Sequence, residues 1–206
     1  MGTIYLICAS VLWGLVHSTL ASHTVKGALR RLAGAPAFDR IYRFSYNVFA
    51  AASFYPIAVM LYTFADQPLY KIPSPWVYLT IAIQALAAMM LISTVVQTGV
   101  AEFLGLEQLY QTGENNPPRL ITDGWYAWVR HPLYLGILVF AWLIPEMTVN
   151  RLVLLATFTL YILIGAWFEE RKLLKDFGPA YAEYKTRVPM LFPKIVNQKS
   201  QIENKK

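Results

Sequence analysis

The sequence predicts an all-α fold: a polytopic membrane helical bundle of about five transmembrane helices, with its functional site at the cytoplasmic, C-terminal end. Three observations predict it. Hydrophobic residues make up 56% of the 206 residues and charged ones only 15%, where a soluble domain carries about 25% charged residues. The apolar residues also fall in uncharged blocks. No Asp, Glu, Lys or Arg occurs from Met1 to Val25, from Phe44 to Ala65 or from Trp76 to Ala101, and each block meets the roughly 20 residues needed to cross a bilayer core. Two later blocks, Pro132 to Pro145 and Leu152 to Phe168, are shorter, and the former has a length at which a re-entrant or interfacial segment competes with a full crossing.

The third observation is where the bases sit. The net charge of +6 invites a nucleic-acid reading, but the 18 Lys and Arg are unevenly placed. Five lie between the first and second blocks (Lys26, Arg30, Arg31, Arg40, Arg43), two in the third loop (Arg119, Arg130) and nine after the fifth block. Only Lys71 and Arg151 fall in the second and fourth loops. This is the positive-inside pattern. It puts the N-terminus outside, and loops one and three with the tail in the cytoplasm, as in a bacterial-type inner membrane. The charge orients the chain; it does not bind nucleic acid.

Taken in order, the first helix runs roughly from Ile4 to Leu20 as a retained anchor, with no basic region ahead of it to suggest a signal peptide. Cys8 lies inside it, the single cysteine, and reads as a small packing residue. His17, near its inner end, reads as a packing or interfacial histidine. The segment Ala21–Arg40 is a cytoplasmic loop with a Gly34-Ala35-Pro36 turn signal. The second helix begins near Arg43, which shares a helical face with Asn47 four residues on. Asp66–Pro75, with three prolines, is a stiff external loop, and the third helix ends beyond Gln97. Glu102–Arg130 is the longest polar stretch and contains the loop-like Gly113–Pro118. A single domain covers residues 1–196, and the polar residues 197–206 form a disordered tail.

The chemistry concentrates in Gly124-Trp-Tyr-Ala-Trp-Val-Arg130-His131-Pro132-Leu-Tyr134-Leu-Gly136. Proline keeps the residue before it out of the helical region and suits the first helical position itself. The fourth helix therefore starts at Pro132, with Arg130 and His131 against its N-terminus. That end offers free amide donors and a partial positive charge to an anion, and Arg130 adds a forked donor for a carboxylate. About forty residues later, Glu169 and Glu170 close the fifth block. A charge costs ~2.5–3.5 kcal/mol at mid-membrane and less near the surface. Adjacent carboxylates there repel each other, and a cation relieves them. A positive helix end with Arg opposite a carboxylate pair suits a zwitterion, and substitution of Glu170 is expected to abolish its binding. With three His and one Cys far apart, no metal site is expected.

These residues carry a resemblance. Gly124–Gly136, then Glu169-Glu170, Phe177-Gly178, Tyr181, Tyr184 and Val188-Pro189 with Pro193, resemble the membrane methyltransferases that include isoprenylcysteine carboxyl and phosphatidylethanolamine N-methyltransferases. Narrower stretches, Pro145–Asn150, Thr159–Gly165 and Val188–Pro193, are similar to methanethiol S-methyltransferase. So are His17-Ser18, Tyr42-Arg43 and Tyr46-Asn47, which are also similar to NnrU-type membrane proteins. The resemblance implies an S-adenosylmethionine-dependent methyltransferase whose catalytic segment is 119–194. Arg130, His131, Tyr134, Gly136, Glu169 and Glu170 would bind the cofactor, and Arg130 with His131 would be catalytic. Tyr126, Arg43, Asn47, Tyr181 and Tyr184 are candidate pocket residues, and His131 is the first candidate base for a thiol acceptor. The acceptor is expected to be small and apolar or lipid-like and to arrive from the bilayer. No glycine-rich loop follows a strand, so the soluble methyltransferase fold is not available. A non-catalytic NnrU-like accessory protein and a sterol-type reductase remain as rivals.

Overall fold

The structure is a computed structural model and describes residues 1–110 and 119–193. The expected loop at Gly113–Pro118 and the expected tail from Asn197 lie outside the described residues. In chain order come α1 (Gly2–Ala21), α2 (His23–Ala33), α3 (Ala35–Thr63), β1 (Pro68–Lys71), α4 (Trp76–Thr98), α5 (Val100–Leu104) and α6 (Glu107–Tyr110). A 3-10 turn (Gly124–Ala127), α7 (Pro132–Trp142), β2 (Glu146–Thr148), α8 (Val149–Phe177) and α9 (Pro179–Arg187) follow.

Among the described residues four helices, α1, α3, α4 and α8, are long and apolar enough to cross a membrane. Their outer faces expose large apolar side chains, among them Leu12, Leu15, Leu86, Ile92 and Leu160. A helix apolar all round belongs in a core or in lipid, and these are not in a core. The chain is an integral membrane protein. Helix α7 has 11 residues and so is only about 16 Å long, roughly half of a hydrocarbon core. A three-residue turn leads from it to β2, which pairs antiparallel with β1, and Ile72 N–H donates to Pro145 C=O at 2.9 Å. The fourth apolar segment is thus a short helix whose C-terminal side is tied to β1 through β2. Neighbours pack in the order α3, α1, α8, α7, α4.

At one end Asn150 ties the bundle together. It accepts from Thr3 Oγ1 at 2.9 Å, its amide N–H donates to Asp66 Oδ1 at 3.0 Å and its Nδ2 to Ala65 C=O. The opposite end gathers α2, α5, α6, the 3-10 turn and α9. Lys26, Arg30, Arg43, Arg119 and Arg130 lie at this second end, and Lys71 and Arg151 at the first, so the two faces divide the charge as the sequence suggests.

Several expectations need correction. The segment Ala21–Arg40 is largely helical. Ser22 Oγ accepts from Val25 N–H and caps α2, whose basic residues had marked it as loop. Gly34 makes the turn alone at φ 80°, and Pro36 sits in the first turn of α3, which therefore starts at Ala35 and not near Arg43. The stiff loop Asp66–Pro75 contains β1, so among the described residues one small two-stranded sheet stands beside the helices. The polar stretch after α4 holds α5, α6 and the 3-10 turn. The helix that holds the fifth apolar block ends at Phe177, where the Gly178-Pro179 pair in the sequence puts its end. Cys8 is exposed on the outer face of α1, so it does not pack inside the bundle.

Gly105 locks α5 to α3. Its φ is +79°, and a Cβ there would lie 2.5 Å from Phe44 N and 2.8 Å from Arg43 C, atoms of a helix backbone that cannot move aside. Gly105→Ala is expected to cost about 1–3 kcal/mol, read as a lower melting temperature in detergent; an unchanged one would contradict this packing.

Candidate functional site

Consecutive residues on a helix point about 100° apart, so the acidic doublet splits. Glu170 turns inward. Its side chain is 6% exposed, accepts from Arg130 Nε at 2.7 Å and from Arg130 Nη2, and pairs with Lys185 Nζ at 2.7 Å. Glu169 is 43% exposed; its Oε2 accepts from the Tyr134 hydroxyl at 2.8 Å and lies 3.7 Å from His131 Nδ1.

Arg130 is committed. Besides Glu170, its Nη1 donates to the carbonyls of Val188 and Lys185, so its fork holds protein acceptors. Its backbone continues the theme: Arg130 N–H donates to Pro189 C=O at 2.9 Å and His131 N–H to Met190 C=O at 3.1 Å. The proline-bounded segment 188–193 thus lies along the loop before α7, with Leu191 buried beneath it and Phe192 exposed.

His131 stays out of the helix at φ −124°, ψ 67°. Its ring is buried and stacks on Tyr134, centroids 5.3 Å apart. Burial lowers its pKa from 6.5; the carboxylates of Glu169 and Glu170 oppose that shift and the Arg130 guanidinium adds to it. The net effect favours the uncharged imidazole. Tyr184, buried on α9, donates to Tyr126 C=O at 2.6 Å, and burial pushes the Tyr181 phenol up to about 12. The turn carrying Tyr126 is pinned to α4: Trp125 Nε1 donates to Ser93 Oγ at 2.7 Å and Gln97 Nε2 to Asp123 C=O at 2.9 Å. Gly124 allows that contact at φ +56°, since a Cβ would meet Gln97 Nε2 at 2.6 Å.

These elements line a partly open cavity of about 670 Å³, within the roughly 300–1,000 Å³ of small-molecule sites. Arg43, Tyr126, Arg130, His131, Tyr134, Glu169, Tyr181 and Tyr184 line it. So do Pro132, Leu133 and Tyr134 of the first turn of α7, where backbone amides have no intrahelical acceptor. A single space therefore has a carboxylate on one wall and a helix N-terminus on another. Three expected residues are not on its walls. Glu170 is behind Arg130. Gly136 packs on α4, where a Cβ would meet Leu91 at 2.8 Å. Asn47 Nδ2 donates to Phe103 C=O at 3.0 Å, holding the third loop, and Arg43 pairs with Glu102 at 3.4 Å. Sequence reasoning missed the last turn of α4, Arg119, Glu102 and Lys185. The polar Gln97-Thr98 closing an apolar block was the available signal for the first of these.

The family described as NnrU protein matches residues 5–196. The chain belongs to the NnrU family. Among curated relatives, methanethiol S-methyltransferase 1 of Bradyrhizobium diazoefficiens is 33% identical over 190 residues, 88% of this chain and 64% of that protein. Methanethiol S-methyltransferase of Pseudomonas deceptionensis is 49% identical over 70 residues, 34% of this chain and 27% of that protein. Protein-S-isoprenylcysteine O-methyltransferase of Schizosaccharomyces pombe is 32% identical over 109 residues, 50% of this chain and 43% of that protein. This NnrU-family chain spans less than two thirds of the length of these relatives. No solved structure matches it.

The lowered pKa of His131 has a consequence for stability. The unfolded histidine, near 6.5, takes up a proton as pH falls while the folded one resists it, so stability is complete above that value and declines below it. The melting temperature in detergent should fall as pH drops from about 6.5, and His131→Asn should flatten the decline. An equally steep fall in that variant would remove His131 from the cause.

Proposed function

We propose that this protein transfers a methyl group from S-adenosylmethionine to a small or lipophilic acceptor, a thiol of the methanethiol kind. The observation that carries the reading is the cavity with Glu169 on one wall and the amide donors of α7 on another. The residues present suit the cofactor. Glu169 would take its amino group, the first turn of α7 its carboxylate, and Tyr126 and Tyr134 its flat or cationic parts. When bound, the cofactor supplies a sulfonium methyl already activated for in-line displacement. The protein's share is positioning and exclusion of water, and orientation alone supplies ~7–11 kcal/mol. Arg130, engaged with Glu170 and the 185–188 carbonyls, acts by holding α8 and α9 around the cavity. His131, buried with its nitrogens toward the two carboxylates, steadies Glu169 and Tyr134 and is badly turned to meet an acceptor.

The reading takes residues 1–196 as one methyltransferase unit, with 119–194 the catalytic segment. It places the cavity end in the cytoplasm, on the sixteen-to-two division of bases set out above, in a bacterial-type inner membrane. The acceptor approaches from the bilayer between α3 and α4, which lie at the two ends of the row of packed helices. Prenylcysteine or phospholipid acceptors fit the same chemistry. A non-catalytic accessory role is the second reading; binding of S-adenosylhomocysteine and formation of dimethyl sulfide from methanethiol separate the two.

The doublet gives a sharper test. Glu169→Gln should weaken S-adenosylhomocysteine binding about 10–100-fold, the worth of one charged hydrogen bond, with the melting temperature near wild type. Glu170→Gln should cost about 3 kcal/mol of stability, the lower end for breaking a buried ion pair, because Lys185 is half exposed. Calorimetric binding and thermal unfolding read both, and the reverse pattern would exchange the roles of the two residues.

A further inference from the structure

The site leaves a question open: where a thiol's proton goes. His131 faces carboxylates, and Glu169 and Glu170 are occupied. Deeper in the membrane, however, α1 carries His17, the one histidine in a span that holds no Asp, Glu, Lys or Arg. An ionisable side chain inside a span is expensive, and such residues mark functional sites more often than packing. His17 is not merely packed. Its Nε2 lies 2.6 Å from the Tyr46 hydroxyl of α3, and its ring stacks on Trp13 with centroids 4.6 Å apart. Its Nδ1 is buried with no hydrogen-bond partner among the described residues. Tyr161 of α8 closes the cluster, its hydroxyl accepting from Ser18 Oγ at 3.2 Å, and Gly14 makes room for that ring, since a Cβ would touch it at 3.0 Å.

The rings of this cluster are not on the cavity wall; Tyr134, which is, links the two. That residue bonds Glu169 and lies within electrostatic reach of both Tyr161 and Tyr46. Tyr161 is eight residues before Glu169 on α8, about 12 Å along the axis, so the cluster is the next polar ground on the membrane side of the cofactor's place. Its walls are aromatic, and sulfur makes favourable contacts with aromatic rings. A thiol arriving from the bilayer would meet rings first and then the one base in the span.

We propose that Tyr46 and His17 form the proton acceptor for a thiol substrate, seated between Trp13, Tyr46, Tyr161 and Tyr134; this rests on the methyltransferase reading above. With the proton of the neutral ring on Nδ1, Nε2 accepts from the Tyr46 hydroxyl. The thiol S–H bond breaks as its proton passes to the Tyr46 oxygen and the Tyr46 proton passes to His17 Nε2. The freed sulfur pair forms the new S–CH3 bond, and the pair of the broken C–S bond stays on the cofactor sulfur, which becomes a neutral thioether. One positive charge is present throughout, first on the sulfonium and last on the imidazolium, which then loses its proton to water. The step creates no net charge inside the membrane.

The test uses the full chain in detergent, wild type beside His17→Asn and Tyr46→Phe. Both variants should bind S-adenosylhomocysteine with wild-type affinity and lose about 100-fold or more in turnover of methanethiol at neutral pH, the usual worth of a general base. Trifluoroethanethiol, a more acidic thiol that ionises without help, should restore most of that loss. Tyr46→Phe keeps the ring packing and carries the test if His17→Asn misfolds. In the cofactor-free protein, dimethyl sulfide should slow carbethoxylation of His17 by diethyl pyrocarbonate, mapped by mass spectrometry. Equal losses on both thiols, turnover within a few-fold of wild type, or no effect of the sulfide would overturn the assignment. Wild-type protein that methylates only oxygen or nitrogen acceptors would overturn it and spare the methyltransferase reading. Wild-type protein that neither binds S-adenosylhomocysteine nor forms product would overturn both.

Discussion

The pairing of Arg130 with Glu170 sets the geometry of everything around it. Both side chains are nearly inaccessible, at 7% and 6% exposed, and two buried charges repay their desolvation only when every donor and acceptor is met. Here they are. The guanidinium spans Glu170 of α8 and the carbonyls of Lys185 and Val188, and Lys185 covers the second carboxylate oxygen. One side chain on the loop before α7 thereby fixes α8, α9 and the C-terminal segment in a single arrangement. Its position at the membrane boundary matters, because the same pair at mid-membrane would cost far more.

From that anchor the rest follows. With Glu170 turned inward, helical geometry turns Glu169 toward the cavity, where Tyr134 and His131 hold it. With Arg130 and His131 hydrogen-bonded to residues 189–190, Pro132 begins its helix at a fixed point and the free amides of α7 face the same space. The shortness of α7 serves the arrangement: its partner α4 runs on past it to supply the upper wall and the contacts that pin Tyr126. At the far end, Asn150 and the pairing of β1 with β2 hold the other termini of the same segments, so the cavity is braced from both ends.

Much of this was legible in the sequence and some was not, for physical reasons. Uncharged blocks locate membrane segments because lipid excludes charge, and they do so whatever the helices' partners. The same criterion hid α2, since charge marks the membrane boundary and says nothing of where a helix ends. The junction of the Arg130–Tyr134 stretch with the acidic doublet was readable because proline fixes a helix start and paired acids at a boundary need a counter-charge. Which acid faces the cavity was not readable, because neighbours on a helix differ only by rotation, and that depends on Lys185 and Tyr134 arriving from elsewhere. The β1–β2 pair was likewise invisible: three or four residues beside prolines carry no period.

The central claim is that one small cofactor binds where the start of α7 meets the acidic doublet of α8. Hydrogen–deuterium exchange on the full chain in detergent, with and without saturating S-adenosylhomocysteine, tests it most directly. The account predicts added protection in peptides covering 119–136 and 165–190 and none in the β1–β2 end of the bundle. Protection confined to the β1–β2 end, or none anywhere at saturation, would contradict it.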